Sequence, residues 1–209
     1  MRVAKYQNMP LTIILAAGKS QRMGQQKLLL PWKQSTVIET VVQSFLTASV
    51  ARVIVVTGAA HVDISRLLQG RAGVEIAANP RYMDAEMFVS LKTGLLAMNE
   101  SELGAVPFLI GLGDQPQITS VTIRALIDAW YADKPKILIP SYNLRRGHPW
   151  MLAPICRGEI LAMQDHQTMR DYLATQQEHI RYLNVDTPEI LKDLDTPEDY
   201  ENEKRLSGA

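Results

Sequence analysis

Three cations, Lys19, Arg22 and Lys27, stand close together in Leu15-Ala16-Ala17-Gly18-Lys19-Ser20-Gln21-Arg22-Met23-Gly24-Gln25-Gln26-Lys27. Small residues let backbone N–H groups approach an anion, and fixed Arg and Lys heads neutralise the charge that amides cannot. Gly18-Lys19-Ser20 alone reads more readily as a solvated surface loop with incidental cations. The apolar run Leu11 to Ala17, long enough for a buried strand and breaking abruptly into the loop, favours an anion cradle. A Walker A loop needs Gly where this chain has Ile13, and a dinucleotide fingerprint needs three glycines where only Gly18 and Gly24 occur. Carboxylates complete the set. Asp114 follows an apolar run in Gly113-Asp114-Gln115-Pro116, where it forms a turn or projects into a crevice. Asp193 and Asp195 alternate in Leu191-Lys192-Asp193-Leu194-Asp195. Hard oxygens from separate segments facing a phosphate loop suit Mg²⁺.

These side chains need a scaffold. Thr36 and Glu39 have capping-box spacing, and the helical period that follows predicts a helix from Thr36 to Thr47. Strands are predicted at Leu11 to Ala17, Val53 to Val56, Gly73 to Ala78, Val106 to Leu112, Ile137 to Ile139, His148 to Ala153 and Ile180 to Val185. Further helices are predicted at Ala60 to Leu68, Glu86 to Met98, Thr119 to Tyr131, Ile155 to Met163 and Met169 to Thr175. In the third of all these helices Met87, Leu91, Leu95 and Met98 share a face. A last helix starts at Pro197, capped by Asp195 or Thr196. Such alternation means an α/β fold, a mostly parallel sheet covered on both faces, with ligands beyond the carboxyl ends of the strands. Residues 1–10 are expected to be a tail, and residues 11–205 one domain.

Composition narrows the function classes. Lys+Arg and Asp+Glu both count 22, which argues against a nucleic-acid binder held by a general basic face and leaves a local patch open. The one cysteine, Cys156, is expected to be packed, and no cysteine cluster suggests zinc. No apolar run reaches the roughly 18 residues of a membrane span, and no signal peptide is evident. A cytoplasmic protein without nucleic-acid or membrane partners is expected.

The motifs together resemble one family. The first loop running on through Leu28-Leu29-Leu30-Pro31, then Gly113-Asp114-Gln115-Pro116, Gly147-His148-Pro149 and Asp193-x-Asp195-Thr196-Pro197-Glu198-Asp199 are similar to the signature of molybdenum cofactor cytidylyltransferases. The resemblance runs from about Leu11 to Tyr200 and implies a three-layer Rossmann-like nucleotidyltransferase fold. It implies that Leu15, Ala16, Ala17, Gly18, Lys19, Ser20, Met23 and Gly24 wrap the nucleotide, with Gly113 alongside. Arg22 and Lys27 would hold phosphates and act with Asp114 in catalysis, and Asp114 with Asp195 (or Asp193) would hold Mg²⁺. Asn79 and Ser90 would lie near base and ribose, and Gly147, His148 and Pro149 would face the acceptor. Ala17, where guanylyl-transferring relatives usually carry glycine, favours CTP over GTP.

The implied reaction transfers CMP from CTP to the terminal phosphate of molybdopterin, with transient contact with a molybdoenzyme or its chaperone. Alternatives are another nucleoside triphosphate, a sugar or polyol phosphate acceptor, or a non-catalytic nucleotide binder on the same fold. One departure concerns Asn79 to Ser90, which is one residue longer than in relatives and has Ala85-Glu86-Met87 in place of a glycine. A different acceptor-side wall is expected there. His61, His166 and His179 belong to no motif and are read as structural.

Overall fold

Alternation along the first strand sorts its side chains into two cores. In β1 (Leu11–Ala16), Ile14 and Ala16 join one buried cluster, while Leu11 and Ile13 join another. In β4 (Arg52–Thr57), Val53 and Val55 divide from Ile54 and Val56 in the same way. A sheet buried on both faces requires helices on both. The computed structural model describes residues 9–83, 87–99 and 106–209 and supplies them. One face is covered by α1 (Val37–Thr47), α2 (His61–Leu68), α4 (Ser120–Asp133) and α7 (Pro197–Ser207). The other is covered by α3 (Met87–Leu96), α5 (Ile155–Ala162) and α6 (Met169–Thr175). Each fully buried Ile or Leu contributes roughly 1.5–3 kcal/mol, so docking onto the sheet stabilises helices as short as α6.

The remaining strands of this sheet are β5 (Val74–Ala78), β6 (Phe108–Leu112), β7 (Ile137–Tyr142), β8 (Arg145–Arg146), β9 (Trp150–Leu152) and β10 (Ile180–Asn184). The order is β10-β7-β9-β6-β1-β4-β5, with β8 paired to β7. β1 pairs in parallel with both β4 and β6, so the sheet grows outward through β4 and β5, then resumes on the other side of β1. That reversal leaves a crevice at the carboxyl ends of β1 and β6. At Gly94 a Cβ would stand 2.5 Å from Ile13 Cγ2 and 2.9 Å from Val56 Cγ2. Glycine there lets α3 lie directly on β1 and β4.

Several expectations change in detail. β9 is antiparallel between β6 and β7 and spans only Trp150–Leu152. β7 extends through Pro140 to Tyr142 and turns into β8 at Asn143 and Leu144, both left-handed. The run after Lys27 forms a short hairpin, β2 (Pro31–Trp32) with β3 (Ser35–Thr36). In α3, Leu91 and Leu95 are buried, as is Met98 just beyond the helix, but Met87 is 52% exposed. It faces the crevice instead of the core. Glu86, and with it the Ala85-Glu86 departure, lies outside the described residues, as do residues 1–8 of the expected tail. Thr36 caps α1 in a capping box with Glu39. Thr196 caps α7, reciprocated by Asp199, and the Asp195 side chain takes no part in the cap.

Candidate functional site

The loop between β1 and β2 is built on one buried anchor. Met23 sits in the core, and around it the chain makes a single tight turn over Gln21–Met23. Ser20, at φ 52°, and Gly24, at φ 69°, supply the left-handed bends at its two ends. The Ser20 hydroxyl accepts the Lys27 amide at 3.2 Å, closing the loop and aiming Lys27 inward. A Cβ at Gly18 would meet nothing within 4 Å, so the protein itself does not require glycine there.

Opposite this loop, two segments present carboxylates. Gly113 donates to Leu15 O at 3.0 Å, and a Cβ on it would stand 3.2 Å from Ala16 Cβ. The chain leaving β6 therefore presses against β1 and sets Asp114 beside Lys27. Asp193 and Asp195 flank Leu194, which is fully buried. In extended backbone this sends both carboxylates to the opposite side, toward the crevice. Gln115 Nε2 donates to Asp193 Oδ1 at 2.8 Å and Lys192 O at 3.1 Å, while Gln117 Nε2 donates to Lys192 O at 2.7 Å. Leu194 N donates to Asp114 O at 3.3 Å. The acidic segment is thus stitched to the turn after β6, not held by secondary structure of its own.

Between them lies a cleft of about 650 Å³, the size of a small-molecule site. Its walls carry three cations, Lys19, Arg22 and Lys27, and three carboxylates, Asp114, Asp193 and Asp195. Lys27 Nζ lies 2.5 Å from Asp114 Oδ2 and 3.1 Å from Asp195 Oδ1, while Arg22 Nη2 reaches Asp195 Oδ2 at 2.9 Å. Lys19 Nζ donates to Met83 O at 3.0 Å. Burial opposes the Lys27 charge, but the charges and hydrogen bonds of Asp114 and Asp195 outweigh it and raise its pKa above the usual value. Asp193 is pushed up to about 6, first by desolvation against the cleft wall, then by the charges of Asp114 and Asp195. The Gln115 hydrogen bond and Lys27 oppose that rise.

Of the residues expected at the site, Leu15, Ala16, Ala17, Gly18, Lys19, Ser20, Arg22, Lys27, Ser90, Asp114, His148, Asp193 and Asp195 line this cleft. Others stand behind it. Asn79 is buried and donates through Nδ2 to Ser90 Oγ at 3.0 Å, while its Oδ1 accepts the Arg81 amide. It orients Ser90 and shapes its own turn. Met23, Gly24 and Gly113 shape the backbone. Gly147 packs under Ile190, where a Cβ would fall 2.3 Å from Ile190 O, and Pro149 is buried. His148 stacks on Trp150 with centroids 4.7 Å apart. Burial lowers its pKa to about 4, so it is neutral at pH 7.

Sequence reasoning missed Tyr82, Met83 and Met87, which line the wall across from the loop. The position of Tyr82 and Met83, just past the carboxyl end of β5, was the available signal. Gln115 stood in the Gly113-Asp114-Gln115-Pro116 motif without a role, and Gln117 gave no signal, because their partners lie more than 70 residues away.

Two carboxylates from separate segments converge on one cation-sized position, now held by the Lys27 ammonium. Among the described residues no three ligating side chains gather into a complete metal site. Two hard oxygens, with phosphates and water supplying the rest, are what a Mg²⁺ beside a nucleotide requires. The donor set fits.

Among the described residues no helix is long and apolar enough to cross a membrane. Residues 12–180 match the MobA-like NTP transferase domain. The chain is 28% identical over 188 residues to the molybdenum cofactor cytidylyltransferase of Escherichia coli K12, covering 90% of this chain and 92% of the relative. It is 26% identical to the purine catabolism protein PucB of Bacillus subtilis 168, covering 92% and 95%. Among solved structures, Rv0371C of Mycobacterium tuberculosis H37Rv in complex with manganese superposes with a TM-score of 0.73 at 25% identity, covering 97% and 99%.

Proposed function

The chain belongs to the MobA-like NTP transferase family, and from that premise we propose that it transfers CMP from CTP to the terminal phosphate of molybdopterin, releasing pyrophosphate. One observation carries this reading: a phosphate-type loop and two carboxylate segments meet in one cleft at the switch point of the sheet. The likeness to the E. coli cytidylyltransferase supports the choice of substrates, and Ala17 in the cleft wall supports CTP over GTP.

In the reaction an oxygen of the acceptor phosphate forms a bond to the α-phosphorus of CTP. The bond from that phosphorus to the bridging oxygen breaks, and its electron pair leaves with pyrophosphate. The attacking phosphate is already ionised, so no side chain must remove a proton. That suits a site whose one histidine, His148, is held near a pKa of 4 and is a poor base. Arg22 and Lys27 would bind the phosphates and stabilise charge moving onto the leaving group, while the backbone from Ala16 to Gly18 would fix the α-phosphate for in-line attack. Asp114 and Asp195 would hold Mg²⁺, which when bound supplies further neutralisation of the leaving oxygens.

The test is pyrophosphate release from each of CTP, GTP, ATP and UTP, with Mg²⁺ and molybdopterin-type cofactor or a panel of sugar and polyol phosphates. Release with CTP and the molybdenum cofactor alone is expected. Faster release with another nucleotide or a sugar phosphate would replace these substrates, and silence across the panel would leave a nucleotide binder.

A further inference from the structure

The segment after β5 carries Asn79, which the family resemblance places near the base, yet the fold buries Asn79 behind the cleft wall and brings Tyr82 to the cleft in its place. Asn79 is what aims Tyr82. Its amide donates to Thr57 O at 2.8 Å, its carbonyl accepts the Tyr82 amide at 3.4 Å, and its Oδ1 accepts the Arg81 amide at 2.9 Å. The turn is fastened on both sides as well: Arg81 Nη1 lies 2.6 Å from Asp165 Oδ2, and Met83 O accepts from Lys19 Nζ at 3.0 Å. Tyr82 in turn rests on Gly58, just past β4. A Cβ on Gly58 would stand 2.7 Å from Tyr82 Cβ, 2.8 Å from Tyr82 Cγ and 2.5 Å from Ala17 O. Only glycine leaves room for the root of the Tyr82 side chain to lie against the loop at Ala17. Tyr82 thus stands at the corner where wall and loop meet, and the Asn79 that aims it also holds Ser90 Oγ at 3.0 Å.

We infer that Tyr82 is a specificity-determining residue that limits the nucleotide to one with a single-ring base. The inference rests on the proposed nucleotide site, in which the base lies beside Ala17 and Ser90. A purine carries a second fused ring, and Tyr82 at that corner occupies the space the ring needs. The turn is pinned by Thr57, Asp165 and Lys19, and Tyr82 Cβ and Cγ are wedged over Gly58. The side chain has no room to retreat, so the clash counts in full against the larger base while the smaller one binds without penalty. An aromatic ring on a loose segment would instead yield, or stack under either base. Tyr82 separates one ring from two. It does not distinguish cytosine from uracil, whose rings match in size and differ only in their hydrogen-bonding edge.

The experiment is calorimetric titration of the wild-type chain, Tyr82→Phe, Tyr82→Leu and Tyr82→Ala with CTP, UTP, GTP and ATP in Mg²⁺. Circular dichroism and thermal unfolding establish that each variant is folded, and Tyr82→Leu keeps a Cγ over Gly58 should Tyr82→Ala fail to fold. Tyr82→Phe retains the ring and is expected to retain the wild-type preference. In Tyr82→Leu and Tyr82→Ala, GTP and ATP are expected to gain about tenfold on CTP, the low end of what one misfit group costs in a pocket, with the ratio of CTP to UTP affinity unchanged. Equal weakening of all four nucleotides, the mark of a stacking platform, would overturn the inference. So would unchanged selectivity, the mark of a purely structural plug. A wild type without preference for pyrimidine nucleotides would overturn the proposed substrate and the inference resting on it; that result is read from the wild type alone, so the two failures are distinct.

Discussion

Replacing Lys27 by methionine removes a charge while keeping a similar side-chain length, and it should affect activity and stability by different routes. Lys27 is 13% exposed and its ammonium lies 2.5 Å from Asp114 and 3.1 Å from Asp195. At those separations each pair is worth roughly 5–7 kcal/mol of gross attraction with an effective dielectric near 20. Most of that is offset by desolvation, and Asp195, at 33% exposed, regains water when the partner is lost. The net destabilisation should be about 2 kcal/mol at pH 8, below the scale for breaking a fully buried pair. Without Lys27 the Asp193 carboxylate loses a charge that opposes its upward shift, so its folded pKa rises further above the unfolded one. The penalty is therefore present above those values and fades as pH falls towards 4. Urea unfolding of Lys27→Met and wild type at pH 8 and pH 4.5 reads this directly. Turnover at saturating CTP should fall by roughly 10²-fold, the scale for losing one group that stabilises transition-state charge. A stability difference that is independent of pH, or turnover within a few-fold of wild type, would refute the reasoning.

Three further outcomes follow from the same structure. Gly94→Ala places a Cβ 2.5 Å from Ile13 Cγ2, and overpacking should cost about 1–3 kcal/mol in denaturant unfolding; an unchanged midpoint would mean that α3 does not rest on β1. Asp193 titrates near 6 in the folded chain against 3.8 when free, so the native state holds the extra proton and stability falls as pH rises through that window; Asp193→Asn should flatten the slope between pH 4 and 6 in thermal scans. His148 behaves oppositely, with a folded value near 4 below its usual 6.5; stability should drop as pH falls from 6.5 to 4, His148→Gln should remove that drop, and the pH profile of kcat between 6.5 and 9 should show no inflection from His148.

Much of the scaffold was legible because its signals are local. The capping box at Thr36 and Glu39, the β-branched run Val53 to Val56 and the apolar run into Gly18 each fix an element from neighbours in sequence. Boundaries failed where tertiary pairing overrode them. Pro140 lies inside β7, where its missing N–H is tolerated, and β8 extends that strand through a turn no glycine announces. Met87 carries the helical period of a core residue, yet its position at the start of α3 turns it into the cleft.

The cleft residues were legible as a set and not one by one, because a Lys in a loop or an Asp in a turn has ordinary structural uses. Their pairing was not. That Asp195 neutralises Arg22, from which it is separated by 173 residues, depends on the burial of Leu194 and on the amides of Gln115 and Gln117. For the same reason the loop reads in sequence as a net-positive cradle, whereas in the fold its cations are already partnered.

The most direct test of the account is a crystal structure with a non-hydrolysable CTP analogue and Mg²⁺. Phosphates are expected on the Ala16 to Gly24 loop in contact with Arg22 and Lys27, with Asp114 and Asp195 turned from those cations to hold the metal. A nucleotide bound elsewhere, or bound here with Arg22 and Lys27 still on Asp195, would contradict it.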